Sequence, residues 1–216
     1  MIHGAIFDMD GTLTDSMHLW QDIGARYLLS LGLTPPENLN NTIGVMTMEE
    51  VSNLFTESYG IKKTPQEIRN EINLLLEPLY EKDVLPKSGV IELLELLKGR
   101  GVKMCVATAT DRHLAEIALE TTGLIGYFSE IFTCTMVGDG KEKPTIYEKS
   151  LEHLGTEKSD TLVFEDALYA VETAKSAGFV TVGVYDKFSK WAQERIQDIS
   201  DIYLPDYSPE HINVFK

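Results

Sequence analysis

Cysteine is scarce in this chain. Two cysteines in 216 residues cannot build a disulfide framework. Cys105 lies in the apolar run 102–107 and Cys134 stands far from it in sequence, so both are expected as reduced, packed thiols. That usage points to a cytoplasmic setting. Long hydrophobic runs are missing too: no stretch approaches the ~18 apolar residues that a membrane helix needs. No signal-peptide pattern is visible, because Met1-Ile2-His3-Gly4 leads almost directly into a charged motif. Positive charge is the third shortage. Nineteen Lys and Arg face 34 Asp and Glu, a net charge of −15, and such a surface repels nucleic acids and anionic membranes. Internal repeats and low-complexity segments are absent.

The hydrophobic fraction, 43%, is ordinary for a globular protein, and 216 residues suffice for one large domain or a core with an insertion. Residues 2–8 read as a buried strand. A helical texture follows: 16–31 is amphipathic, 47–59 reads as a second helix, and 64–80 as a third, with N-cap chemistry at Thr64 and a kink at Pro78. After Pro86, helices (89–98, 111–122, 145–154, 167–177, 190–197) alternate with short apolar strands (102–107, within 129–135, 161–164, 180–184). That alternation predicts an α/β fold, a doubly wound parallel sheet covered on both faces. The expected core comprises residues 1–14 and 86–216, and a helical domain is inserted at 15–85.

The most informative segment is Ile6-Phe7-Asp8-Met9-Asp10-Gly11-Thr12-Leu13-Thr14. Asp8 and Asp10 stand at i and i+2, which in extended chain project to one side, and Gly11 permits a sharp turn. Either this is an acidic loop after a strand, or paired carboxylates divide labour as nucleophile and proton donor. Three later features sit where ligands bind in this architecture, beyond the carboxyl ends of strands. Thr108, in Val106-Ala107-Thr108-Ala109-Thr110, follows a strand and precedes a helix; its hydroxyl and nearby N–H groups suit a phosphate oxygen, or Thr108 or Thr110 caps the helix. Lys141 or Lys143, in Gly138-Asp139-Gly140-Lys141-Glu142-Lys143-Pro144, is a solvated loop lysine or a cation at the site. Glu165 and Asp166 end a buried strand and either hold a hard ion or cap the next helix.

Taken in that order, the dyad, threonine, lysine and acidic pair resemble the haloacid dehalogenase superfamily, and within it the phosphatases and β-phosphoglucomutase-like proteins with a helical cap after the first strand. The resemblance covers the full length and is strongest at Phe7–Thr12, Val106–Thr108, Gly140–Tyr147 and Phe164–Asp166. It implies a Rossmann-like core and an Mg²⁺-dependent phosphoric monoester hydrolase. Asp8 then resembles the nucleophile that becomes an aspartyl phosphate, and Asp10 the acid and base. Thr108 and Ala109 match the phosphate-binding position. Asp8, the Asp10 main-chain carbonyl and Asp166 match the metal ligands, with Glu165 behind them or bound through water. Relatives often read Gly-Lys-Pro-x-Pro-Asp-Ile-Tyr; aligned without gaps on Pro144, Ile146 and Tyr147, Lys141 takes the family lysine's place and Lys143 a variable one.

Asp10 separates the chain from the family's dehalogenases and phosphonoacetaldehyde hydrolases, which lack that aspartate. The transport ATPases have Lys-Thr-Gly-Thr where this chain has Met9-Asp10-Gly11-Thr12. The mutases grip a distal phosphate with a cap arginine. The matching stretch here is 42–48, and Met46 stands where that arginine is expected, with His18 near but not at the cap histidine position. The expectation is a phosphatase for a small phosphorylated metabolite, a sugar or polyol phosphate, monomeric or weakly dimeric. A β-phosphoglucomutase-type mutase is the alternative, and a catalytically silent binding protein on the same fold a further one.

Overall fold

Gly4-Ala5-Ile6-Phe7 is a short, wholly apolar run, and it forms the central strand β1 (Gly4–Phe7), buried at every position. The computed structural model describes residues 1–43, 46 and 48–216. Five further strands join the sheet: β2 (Lys103–Thr108), β3 (Ile131–Thr133), β4 (Thr161–Glu165), β5 (Val180–Val184) and β6 (Ile202–Leu204). All pairings are parallel, in the order β3-β2-β1-β4-β5-β6. This is the expected doubly wound arrangement. The chain winds from β1 outward through β2 and β3, then returns to lay β4, β5 and β6 on the other side. The crevice at such a switch point, here between β1 and β4, is where open α/β sheets bind ligands.

Register levels the strand ends. Phe7 pairs with both Val106 and Phe164, and the Asp8 N–H donates to the Phe164 carbonyl at 3.0 Å, extending the ladder by one residue. The Phe7 and Phe164 rings stack with centroids 4.2 Å apart. Strand alternation then decides which side chains share a face. Ile6 and Val163 lie in one cluster with Cys105 and Ala107, covered by Ile146, Tyr147 and Leu154 of the helix Thr145–Leu154. Two residues further on, Asp8 and Glu165 emerge on that same face. The loop that feeds the helix, residues 138–144, therefore arrives beside both carboxylates.

Two compact units result: Met1–Asp15 with Val84–Lys216, and Ser16–Asp83. The second holds the helices Met17–Gln21, Ile23–Ser30, Leu39–Ile43, Met48–Tyr59 and Pro65–Lys82. Leu28, Phe55, Ile68, Ile72, Leu76 and Tyr80 are fully buried in it. The single helix expected over 16–31 is instead two, broken at Asp22 (φ −110°, ψ 3°). Aspartate competes for backbone hydrogen bonds and favours helix ends; here its Oδ1 also accepts from Asn40 Nδ2 at 2.9 Å. Thr64 forms the expected capping box with Glu67. The helix continues through Pro78; the carbonyl that loses its donor belongs to Leu74, whose residue is 67% exposed. The expected loop at 42–48 includes Gly44, Val45 and Thr47, which lie outside the described residues.

Cys105 is buried and Cys134 half-buried, both as free thiols. Burial pushes them up to about 12 and about 11 respectively, so neither is a ready nucleophile. No helix among the described residues is long and apolar enough to cross a membrane.

Candidate active site

The turn after β1 sets the site. Gly11 has φ +86°, a conformation other residues adopt at a cost. A Cβ there would lie 2.5 Å from Asp166 Oδ2, so space as well as backbone demands glycine. The Met9 carbonyl closes the turn, accepting from the N–H groups of Leu13 at 2.8 Å and Thr14 at 3.0 Å, and from the Thr14 hydroxyl at 3.1 Å. Two strands that end side by side, with a tight turn on one of them, thus bring Asp8 and Asp166 together across 158 positions of sequence (166 − 8).

Lys141 is buried with only 3% of its surface exposed, an unusual place for an ammonium group. It donates to Asp8 Oδ1 at 2.5 Å and to Glu165 Oε1 at 2.6 Å. Burial works against its charge, but Asp8 and Glu165 outweigh that and hold it above the ordinary lysine range. Lys143, two residues on, remains exposed and pairs with Asp139 at 2.6 Å. The structure therefore brings Lys141 into the cluster and leaves Lys143 outside it. Tyr147, on the covering helix, adds a hydrogen bond to Glu165 Oε1 at 2.7 Å.

Glu165 Oε2 is buried with no hydrogen-bond partner among the described residues. Leaving a buried acceptor unpaired costs at least about 1–3 kcal/mol, so such a group calls for an explanation. One carboxylate oxygen each from Asp8, Glu165 and Asp166 lies within 4.8 Å of the others. Burial pushes Glu165 up to about 7, with Lys141 pulling it back and Asp8 adding to the rise. Asp166 is raised well above the usual carboxylate range, by burial first and then by Asp8 and Glu165. Crowded, buried, all-oxygen donors with one lysine between them suit a hard divalent cation rather than a soft one.

Asp166 does not cap the following helix, whose N-cap is Ala167. It accepts instead from Thr12 Oγ1 at 3.2 Å and Ser189 Oγ at 3.4 Å. Thr108 is buried, and its Oγ1 accepts from the Thr110 N–H at 3.1 Å. It does not cap the next helix either: Asp111 stands at that N-cap, without a side-chain cap bond. Ala109 is exposed at the tip of this turn, next to Thr108. Asp10 is half-buried, and Thr110 Oγ1 donates to its Oδ2 at 2.6 Å. Sequence reasoning missed Thr12, Tyr147, Ser189 and the role of Thr110 toward Asp10. It also missed Lys87, which pairs with the buried Asp186 at 2.9 Å and lies near enough to Asp166 to offset part of its rise.

Residues 5–184 match the haloacid dehalogenase-like hydrolase family. A phosphorylated carbohydrates phosphatase from Thermotoga maritima is 30% identical over 177 residues, 82% of each chain. A phosphoglycolate phosphatase from Aquifex aeolicus is 30% identical over 185 residues, covering 82% of this chain and 81% of its own. In fold, CbbY from Rhodobacter sphaeroides, solved with phosphate, superposes with a TM-score of 0.82 at 20% identity over 97% of this chain and 96% of that one. A family match spanning residues 5–184, with a relative 30% identical over 82% of each chain, makes this chain a member of the haloacid dehalogenase-like hydrolases.

Proposed function

We propose that this hydrolase is an Mg²⁺-dependent phosphatase of a small phosphorylated metabolite, a sugar or polyol phosphate, working through an aspartyl phosphate on Asp8. The observation that carries the reading is the buried Lys141, bonded at once to Asp8 and Glu165. A protein of net charge −15 repels a phosphate dianion unless charge at the site is offset; Lys141 offsets part of it at the attacking carboxylate, and a bound divalent cation would offset more.

The steps follow from the residues. The Asp8 carboxylate attacks phosphorus, forming an O–P bond as the bond to the leaving oxygen breaks. Asp10 gives that oxygen its proton, so the alcohol leaves neutral. Asp10 then takes a proton from the water that cleaves the aspartyl phosphate and releases phosphate. The Thr108 hydroxyl and the Ala109 N–H hold phosphoryl oxygens, and Lys141 neutralises charge beside Asp8. Phosphoryl transfer asks for such positioning and charge compensation more than for bond chemistry. Asp8, the Asp10 main-chain carbonyl and Asp166 would hold Mg²⁺, with Glu165 behind them; when bound, the ion neutralises charge on the transferring phosphoryl group.

The named activities of the relatives from Thermotoga maritima and Aquifex aeolicus support a phosphorylated small molecule as substrate. A mutase must hold a second phosphate, and Met46 offers no cation where one is expected. A silent binding protein has no need for the complete set of Asp8, Asp10, Thr108, Lys141 and Asp166. Phosphate release measured across a panel of phosphorylated metabolites, with Mg²⁺ and then with chelator, tests the reading. Turnover is expected only with the ion. Efficient conversion of β-glucose 1-phosphate to glucose 6-phosphate with little phosphate released would overturn it in favour of the mutase.

A further inference from the structure

We infer that Thr110 is a positioning residue that aims the Asp10 carboxyl for proton transfer. The inference rests on the phosphatase reading above and adds to it a residue that the reading leaves without a task.

Thr110 Oγ1 stands 2.6 Å from Asp10 Oδ2, within the range of a charge-assisted hydroxyl–carboxylate bond. The two residues come from different strands: Asp10 lies in the turn after β1, and Thr110 just beyond the end of β2, its parallel neighbour. Thr110 is itself held. Its residue is 5% exposed, its N–H donates to Thr108 Oγ1 at 3.1 Å, and its β-branched side chain has few rotamers to choose from. An aspartate carboxyl has two side-chain torsions, and its orientation follows from the groups that bond it. One oxygen anchored by a fixed hydroxyl sets the plane of the carboxyl, and therefore where its proton is delivered. Asp10 must do this twice, giving a proton to the leaving oxygen and taking one from water. A hydroxyl suits both states, because it can donate to a carboxylate and accept from a carboxylic acid. The pair Thr108 and Thr110 thus divides one short turn. Thr108 is set toward the phosphoryl group and Thr110 toward the acid.

A positioning role predicts a loss that depends on the leaving group, which a packing role does not. The test compares 2,4-dinitrophenyl phosphate, whose phenolate departs without a proton, with phenyl phosphate, whose leaving oxygen needs one. Each is assayed as kcat/KM with Mg²⁺ for the full-length protein. Thr110→Val keeps the shape and removes the hydroxyl. It should lower kcat/KM for phenyl phosphate about 10- to 100-fold and for the dinitrophenyl ester less than about 3-fold, as expected when general-acid assistance is impaired. Thr110→Ser should restore both to within about 3-fold of the parent. Equal losses on the two esters, or an undiminished rate with phenyl phosphate, overturn the inference. Asp8→Asn is run alongside: if it hydrolyses both esters as fast as the parent, the Asp8 reading fails whatever Thr110 does. If Asp8→Asn is inactive and Thr110→Val loses equally on both esters, only the positioning role fails.

Discussion

The α/β unit and the helical unit draw on the same apolar residues but treat charge differently. In the α/β unit Asp8, Lys141, Glu165, Asp166 and Asp186 are all buried. Among the described residues of the helical unit, the buried polar side chains outside the aromatic ones are two hydroxyls, Ser16 and Ser52. An ion pair of this unit, Lys63 with Glu71, is 32% and 38% exposed at the side chains. Removing a charge from water costs several kcal/mol unless partners replace the water. The α/β unit accepts that cost at the ends of β1 and β4 and in the loops beside them. Among the described residues of the helical unit no charged side chain is buried, and its interior includes Leu28, Phe55, Ile68, Ile72, Leu76 and Tyr80. Buried charge without an obvious stabilising return marks reactive chemistry, and the proposed chemistry lies in the unit that carries it.

The sharpest way to break this contrast is at Asp8. Asp8→Asn keeps the shape and removes the nucleophile, so phosphate release from an aryl phosphate should fall at least about 10³-fold. Retained activity would mean that the buried charges of the α/β unit serve stability alone. The next largest effect separates two lysines of one loop. Lys141→Ala leaves Asp8 and Glu165 buried without their cation and should lower kcat/KM about 10²- to 10³-fold. Lys143→Ala loses only a solvent-exposed pair with Asp139 and should change the rate less than about 2-fold, as for most surface ion pairs. The reverse order would overturn the placement of the site.

Gly11 tests the same contrast through the backbone. Gly11→Ala forces an alanine to φ +86° and sets its Cβ 2.5 Å from Asp166 Oδ2. The conformation alone costs about 1–2 kcal/mol, and the displaced carboxylate adds to it. Urea denaturation should show a loss of about 2–3 kcal/mol, and calorimetric titration with Mg²⁺ a weakened affinity. A variant that lost stability but bound Mg²⁺ as tightly as the parent would remove Asp166 from the proposed metal ligands.

How far the sequence disclosed these features follows from how local each one is. β1 was legible because four apolar residues meet a polar boundary, and the alternation of strands and helices predicted the parallel sheet. Lys141 was separable from Lys143 only through the family resemblance, whose ungapped alignment on Pro144, Ile146 and Tyr147 implies Lys141 as the family lysine. The break at Asp22 was not legible, since the residues on both sides keep helical periodicity. Strand β6 was missed because Ile202-Tyr203-Leu204 is too short to show a period. Thr110 toward Asp10, Tyr147 toward Glu165 and Ser189 toward Asp166 depend on strand register and loop paths that join residues 100, 18 and 23 positions apart. Residue types announce such contacts only after the sheet has been assembled.

The smallest effect is expected at the start of the helix Pro65–Lys82, and it tests the comparison from the other side. Thr64 Oγ1 accepts from the Glu67 N–H at 3.3 Å, and Glu67 Oε2 accepts from the Thr64 N–H at 2.8 Å. The two side chains satisfy N–H groups that no helical carbonyl can reach. Thr64→Ala should cost about 1 kcal/mol, which for a chain of this size lowers the midpoint of thermal unfolding by roughly 2–4 °C. Hydrolysis of an aryl phosphate should stay within about 2-fold of the parent, because no charge in the buried cluster has moved. A loss of turnover much larger than the loss of stability would show that the helical unit takes part in the reaction itself, and the contrast between the two units would have to be given up.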